Sequence, residues 1–585
     1  MKIPNYLKYS LFAVGLGLSL TSCEDFLNRP AEDNYNVDTF YTTDEQCYMG
    51  VNYLYNSPWY DFQRGFIKMG EVLSGNMYMG SSPYLDFSLN GTDTDLVNMS
   101  YSLWAVIGHA NTVYRNLGNA SGPSDEVKAI CQGECLTWKA MAYFYLVRSF
   151  GEVPIIHDNA DEIASGTYND KYKVERADVY EYIVMTLEKA LELLPKSAQK
   201  GRIDYYCAEA LLAKVYLTRS GLGQTGTRNQ ADLDMAAKLA KDVIDNSGRH
   251  LLASYSDVFR LSNNESEESL IAWRWSASRQ PWTQQNTLQS DLAPVGFDEF
   301  GDCWGGYNGP SVDLQDAFGV DVIKTAPNAR LDVDTRRKAT MMLPGDKYEY
   351  FWTDKGGFDV LRFCYEPDDY GKGGPGEWQC PTGAYNVKNL YGNTYDHLQA
   401  LGTSPDNMAN GLATHILRLS DLYLIYAEAV LGNQSSTNDA SALEAFNAVR
   451  SRAIPSATPL TSITFQDVWK ERRLELAGEG DRWYDYVRRS YYDMDATIAE
   501  ITSQRRNSYW NLNALYKYYY ETGVWDISKA AEAGDSNEAG YDDQTAAPRV
   551  TASSFTIPFP TEDAVINPHL LEDAIHVDVR SEYSY

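Results

Sequence analysis

The chain has 585 residues, with 50 Lys and Arg against 80 Asp and Glu, a formal charge of −30 that repels polyanions and excludes a nucleic-acid binder. Apolar residues at 44% and charged residues at 22% are ordinary globular usage, which excludes wholesale disorder and a bundle of membrane spans. Aromatic residues are abundant at 13%, and such rings either fill cores or line binding faces.

In chain order, Lys2 and Lys8 flank the start of an apolar run at 11–20, too short to span a bilayer, and Leu20-Thr21-Ser22-Cys23 follows. That ending resembles the lipobox of bacterial lipoproteins, so residues 1–22 are expected to be a signal peptide cleaved before Cys23, which becomes the lipidated N-terminus. The mature 563 residues then carry −32. Glu24 and Asp25 behind the cysteine resemble the signal that places some lipoproteins on the outer face of the outer membrane. No later stretch offers 18 apolar residues, so lipid alone would hold the chain at the membrane. Residues 23–40 are polar and suit a tether. Seven cysteines follow, an odd number that cannot all pair within the chain; buried thiols are expected, with Cys364 and Cys380 the one pair to test as a loop-closing disulfide.

Helical patterns dominate to about residue 260. Ala208, Leu211, Leu212, Val215 and Tyr216 form one apolar stripe, and a Gly-rich turn leads to a second helix predicted over 232–244, where Ala236, Ala237 and Ala240 permit close approach. Leu422, Tyr423, Tyr426, Ala427 and Val430 repeat the first stripe, with Ala442, Ala445, Ala448 and Val449 facing back; 135–150 with 179–194 is another pair. An Ala-rich helix, a turn and a second such helix make the unit of tetratricopeptide-type arrays, here with loose agreement and long turns. The fold class is therefore all-α: tetratricopeptide-like helix pairs in a superhelical scaffold, with a large irregular face. Within one domain, 41–585, the scaffold covers about 41–260 and 411–490, and the irregular region about 261–410 and 491–585. Residues 273–378 hold six of the 13 tryptophans and are rich in glycine, as befits loops mounted on a rigid support.

The motifs of catalysis are missing. There is no phosphate-binding Gly-rich loop with its Lys, no Gly-x-Ser-x-Gly and no His-Glu-x-x-His, and the seven histidines are scattered. Asn90, Asp93 and Asp95 carry oxygens suited to calcium, but the EF-hand pattern is absent and a solvated turn is the stronger reading, so no cofactor is expected. The dense charge cluster at 471–489 (ERRLELAGEGDRWYDYVRR) reads as structural, with Glu479–Arg482 and Asp485–Arg488 or Arg489 as helix neighbours around a Gly478/Gly480 kink.

The order of motifs then carries a resemblance. SCEDF at 22–26, YSLWAVIGHANTVYRN with Trp104 and Asn111, AYFYLVRSFGEVPII at 142–156, GPSVDLQDAF followed by DTRR, ILRLSDLYLIYAEAV at 416–430, ALEAFNAVRSRA, ERRLELAGEGDRW and the closing FTIPFPTEDAVINPHL at 555–570 succeed one another. Together they resemble the RagB/SusD family of outer-membrane nutrient-binding lipoproteins over essentially the whole chain, with the long central region the departure. The resemblance implies four tetratricopeptide-like pairs, binding of an oligosaccharide or polysaccharide without catalysis, exposure at the cell exterior, and a SusC-like TonB-dependent transporter as partner. A surface glycoside hydrolase on the same scaffold is the alternative from another class, since 80 acids leave a catalytic pair open, and peptide-handling family members are a second. Rigid indoles and phenols suit the C–H faces of sugars, and amides and carboxylates suit their hydroxyls. The expected ligand platform is Trp282, Trp304, Tyr307, Trp352 and Trp378, with Asn76, Tyr78 and Tyr84 beside it. Trp273 and Trp275 share a face of a buried strand, so at least one belongs to the core.

Overall fold

The computed structural model describes residues 40–298, 303–532, 541–542 and 547–585. The signal peptide, Cys23 and the tether up to residue 39 lie outside the described residues. Helices begin where short polar side chains can take the orphan amides of a first turn. Helix α1 (Asp44–Asn52) opens on a reciprocal Thr43/Gln46 capping box, and a short α2 (Phe62–Ile67) follows. Asp93 caps α3 (Thr94–Asn119) and Ser124 caps α4 (Asp125–Phe150). After α5 (Asn159–Ser165) and α6 (Arg176–Leu193), Asp204 starts α7 (Tyr205–Arg219) and Asn229 starts α8 (Gln230–Asn246). The predicted stripe at 208–217 and helix at 232–244 are the central turns of α7 and α8. Downstream come a one-turn α9 (Leu288–Leu292), then α10 (Leu419–Leu431), α11 (Ala440–Ala453), α12 (Phe465–Leu476) and α13 (Arg482–Ser490).

Successive scaffold helices pack in sequence: α3 on α4, α4 on α6, α6 on α7, α7 on α8, α8 on α10, and α10 on both α11 and α12. Small residues make the close approaches, with Ala208, Ala236, Ala240 and Ala427 wholly buried. The strands among the described residues form five two-stranded antiparallel ladders. One joins β1 (Met77–Tyr78) to β3 (Gly309–Pro310), and the longest joins β2 (Ser269–Trp273) to β4 (Thr414–Arg418). Both Trp273 and Trp275 are buried: Trp273 stacks on Trp59 with centroids 5.3 Å apart, and the Trp275 indole donates to Thr414 Oγ1 at 3.0 Å.

Two expectations need correction. All seven described cysteines are buried free thiols, so Cys364 and Cys380 do not close a loop; Cys380 Sγ meets Thr382 Oγ1 at 3.3 Å and burial pushes both thiols up. In the 471–489 cluster, left-handed Gly478 and Gly480 do break the chain between α12 and α13, but Glu479 does not pair with Arg482. It is turned inward to Lys388 at 2.8 Å and Arg418 at 2.6 Å. The break exists because Gly70 and Gly480 touch: a Cβ on Gly70 would lie 2.2 Å from Gly480 Cα. Asp485 does pair with Arg488, at 2.8 Å.

A different carboxylate makes the α7–α8 contact pH-sensitive. Glu209 is buried opposite Asp242, with its Oε2 lacking a hydrogen-bond partner, and burial followed by the Asp242 charge pushes its carboxyl up to about 8. The folded state thus favours the protonated form, so its contribution is fully present below the ordinary carboxylate value and is lost as pH rises through about 8. Glu209→Gln is expected to raise Tm by about 1–3 °C at pH 8.5 and by nothing at pH 4.5. Differential scanning calorimetry across pH 4–9 checks this, and parallel wild-type and variant curves would exclude it.

Candidate functional site

Of the large exposed aromatics, three fall at predicted positions: Trp282 is 44% exposed, Trp304 45% and Tyr307 57%. Both indoles are oriented from beneath. Tyr60 leads into α2, and its ring meets that of Trp282 edge-on at 6.3 Å. One helical turn on, Arg64 reaches Asp291 of α9 at 3.5 Å, and Asp291 Oδ1 accepts from the Trp304 indole at 2.8 Å. Tyr60 and Asp61 already have helical backbone angles ahead of α2, and residues four apart on such a turn are surface neighbours. Tyr60 and Arg64 therefore form a ridge with one indole at each end.

The backbone completes the mount. Trp304 N–H donates to Ser290 O and Gly305 N–H to Ala293 O, both at 2.9 Å. Gly305 sits so close to α9 that a Cβ would lie 2.3 Å from Asp291 O, so only glycine permits this approach. Tyr307 follows in the same 3-10 turn, and two residues later β3 pairs with β1, which puts half-buried Tyr78 opposite Gly309 and tilted against Tyr509 at 6.4 Å. The result is an exposed aromatic run from Trp282 to Trp304 and Tyr307, continued by the flank of Tyr78.

The remaining predicted residues are corrected to structural roles. Trp352 is buried in a cluster of Phe297, Phe358 and Phe363; its indole donates to Phe297 O at 2.9 Å, and Asp396 holds its left-handed backbone through the amide at 2.7 Å. Trp378 is buried face to face with Tyr385 at 4.3 Å and donates to Cys380 O. Tyr84 is buried and donates to Asp93 Oδ1 at 2.8 Å, and buried Asn76 bridges Glu71 and Arg473. Tyr60, Arg64 and Asp291 escaped the sequence reading. The one signal for them is the Tyr-x-x-x-Arg spacing at a helix start, which many unrelated helices share.

Cations around the platform are matched: Arg64 with Asp291, Lys68 with Asp95, and Arg279 with Asp406 at 3.1 Å. Asn90, Asp93 and Asp95 already serve other partners, since Asn90 takes the Thr92 amide, Asp93 caps α3 and Asp95 pairs with Lys68. Among the described residues, Glu175, Asp178 and His576 alone bring three metal-type donors within 4.8 Å, on an exposed edge where His576 Nδ1 already meets Asp178 Oδ2 at 2.8 Å.

Residues 274–573 match the family model described as the SusD family, and residues 68–217 match one described as starch-binding associating with outer membrane. A SusD-like protein of Bacteroides ovatus is 32% identical over 97% of this chain and 98% of its own length. The chain belongs to the SusD family. A crystal structure solved with a xylogluco-oligosaccharide superposes with a TM-score of 0.75 at 28% identity, covering 91% of this chain and 99% of that one. A SusD-like carbohydrate-binding protein of Bacteroides fragilis, 19% identical, shares the fold at a TM-score of 0.68, covering 91% of this chain and all of that one. Of these two SusD-family relatives, one was solved with a bound oligosaccharide and the other is described as carbohydrate-binding. Among the described residues of this SusD-family chain, no helix is long and apolar enough to cross a membrane.

Proposed function

We propose that this SusD-family chain is a lipid-anchored protein of the outer membrane, facing the cell exterior, that binds a neutral oligosaccharide or polysaccharide on the Trp282–Trp304–Tyr307 platform and delivers it to a TonB-dependent transporter. One observation carries the binding: two exposed indoles are each seated on the Tyr60–Arg64–Asp291 ridge, Trp282 edge-on against the Tyr60 ring and Trp304 by a hydrogen bond to Asp291. Rings held in place before the ligand arrives lose little entropy on stacking against a sugar face. The matched charges around them favour a neutral glycan, and the xylogluco-oligosaccharide in the 28%-identical relative makes glucans the first class to try. The lipid anchor, the outward orientation and the transporter are supported by the resemblance of the N-terminal segment and of the whole chain.

Affinity gels and titration calorimetry with xylogluco-, laminari- and malto-oligosaccharides beside a sulfated polysaccharide test the ligand class. A neutral glucan is expected to bind with a Kd of about 1 μM–1 mM. Retention by the sulfated polymer alone, or new reducing ends on incubation, contradicts the reading. Asp291 should act as a positioning residue. Asp291→Ala removes the indole's acceptor and is expected to weaken binding about fivefold to twentyfold, while Asp291→Asn, which keeps an acceptor oxygen, stays within about threefold of wild type. Tryptophan fluorescence anisotropy supplies the second readout, because a loosened Trp304 depolarises the emission.

A further inference from the structure

A cleft of about 270 Å3, lined in part by Tyr350, Phe351, Tyr391 and Gln399, lies across α9 from the aromatic platform. Asp291 of that helix turns toward Trp304. Gln289, two residues back and so on the opposite face, accepts from Tyr391 N–H at 2.7 Å and donates to Gly392 O at 2.9 Å. The lining is fixed before any ligand arrives. Asp396, in the first turn of the helix Thr394–Leu401, accepts from the Trp352 and Thr353 amides at 2.7 and 3.0 Å, from the Thr353 hydroxyl at 2.6 Å and from the Asn393 amide at 3.1 Å. One carboxylate thus ties the loop that carries Tyr350 and Phe351 to the helix that carries Gln399. The Arg260 guanidinium lies over the Tyr350 ring at 4.2 Å.

The polar groups left unused around these rings suit hydroxyls. Arg260 Nη2 meets Ser256 Oγ at 3.1 Å and Asp257 Oδ1 at 3.0 Å, while its buried Nε has no acceptor in the chain. Ser262 and Gln399, both exposed and both lining the cleft, make no side-chain hydrogen bond among the described residues. An anion is disfavoured, because Asp257 and Asp396 flank the single cation. A neutral ring with C–H faces for the tyrosines, and hydroxyls that both donate and accept, matches this lining. The volume falls below the roughly 300–1,000 Å3 of sites that enclose a drug-sized ligand, so one sugar unit fits and an oligomer does not. The cleft of about 250 Å3 beside Asp332 has no such unused groups, since Arg330 and Arg337 both pair with that carboxylate.

We infer that this cleft is a second sugar site, separate from the platform, which holds one neutral pyranose against Tyr350 and Tyr391 while Arg260, Ser262 and Gln399 bond its hydroxyls. The choice of a sugar rests on the glycan reading proposed above. Saturation-transfer difference NMR of the full chain with D-glucose, D-galactose and D-xylose tests it. At least one is expected to receive saturation, with a Kd of about 10 mM or weaker, which calorimetry at millimolar ligand does not register. Ala400 lines the cleft from the exposed end of its helix, so Ala400→Trp sets a ring into the space and should cut the signal about tenfold. Gln399→Ala should cut it about threefold, and both variants should keep the oligosaccharide affinity of the platform within twofold. Trp282→Ala/Trp304→Ala should do the opposite, losing the oligosaccharide and keeping the monosaccharide signal. The methyl β-glycoside of the sugar that binds tells two sources apart: an equal signal means the site takes the end unit of a glycan, and a signal from the free sugar alone means it takes a released monosaccharide. A signal that both cleft variants keep, or that the platform variant loses, overturns the inference, as does no saturation of any of the three sugars. Failure of the wild-type chain to bind any oligosaccharide overturns the glycan reading instead, and the monosaccharide result still decides the cleft.

Discussion

Trp282→Ala/Trp304→Ala is expected to abolish glycan binding in calorimetry at millimolar ligand while leaving Tm within about 2 °C of wild type. Each indole is nearly half exposed and anchored at a different end of the same ridge, Trp282 to Tyr60 and Trp304 to Asp291, so each is expected to contact a different sugar unit. Truncating a rigid aromatic anchor typically costs about 2 kcal/mol or more, so each single variant should lose roughly thirtyfold in affinity. Trp352→Ala and Trp378→Ala should do the reverse. Their rings are buried, and deletion leaves a cavity worth about 3–5 kcal/mol of stability without touching the affinity of the protein that folds. A well-folded double variant at Trp282 and Trp304 that binds within twofold of wild type would show that the platform lies elsewhere.

The second large effect is on folding. Arg418 at the end of β4 is buried, with Glu479 and Glu268 at 2.6 Å, Ser420 at 2.8 Å and Glu475 at 3.3 Å. Arg452 joins Glu268 and Glu475, Arg336 joins Glu471 at 2.7 Å and Glu475 at 3.3 Å, and Lys388 joins Glu479. The three arginines and Lys388 hold the Glu475 carboxyl down to about 2 against the desolvation that raises it. Removing one charge from such a set strands the others, at a cost of about 3–5 kcal/mol. Arg418→Met is therefore expected to lower Tm by on the order of 5 °C or more at pH 7. The pH dependence should weaken as well. Glu475 contributes stability above its ordinary value that is lost as pH falls through about 2. Without Arg418 its carboxyl rises, so part of the deficit at pH 7 is regained near pH 4. Calorimetry of the variant at both pH values checks this, and a Tm within 1 °C of wild type at pH 7 would sink it.

Much of the scaffold was legible because its signals are local. The stripe from Ala208 to Tyr216 and the alanines of α8 encode two faces that must meet, and Asp204 and Asn229 mark where each helix can start. The cluster at 471–489 was legible as structure, since charges this dense can be buried only if they are paired. Its partners were not, because Glu479 finds Lys388 and Arg418, 91 and 61 residues away, across a break imposed by the contact between Gly70 and Gly480.

The site divides along the same line. By itself the sequence determined that this is a helical-pair scaffold with tryptophans gathered in a glycine-rich region, and that the region was the place to look for binding. Only the tertiary structure decided which tryptophans stand exposed. Trp304 and Trp352 both lie near glycine and acidic residues in sequence, yet one stands on Asp291 facing solvent and the other fills a phenylalanine cluster. Exposure of a ring depends on what the rest of the chain leaves uncovered. Here Tyr60 and Arg64, more than 200 residues upstream, set the ridge that holds Trp282 and Trp304 outward, and no local pattern carries that distance.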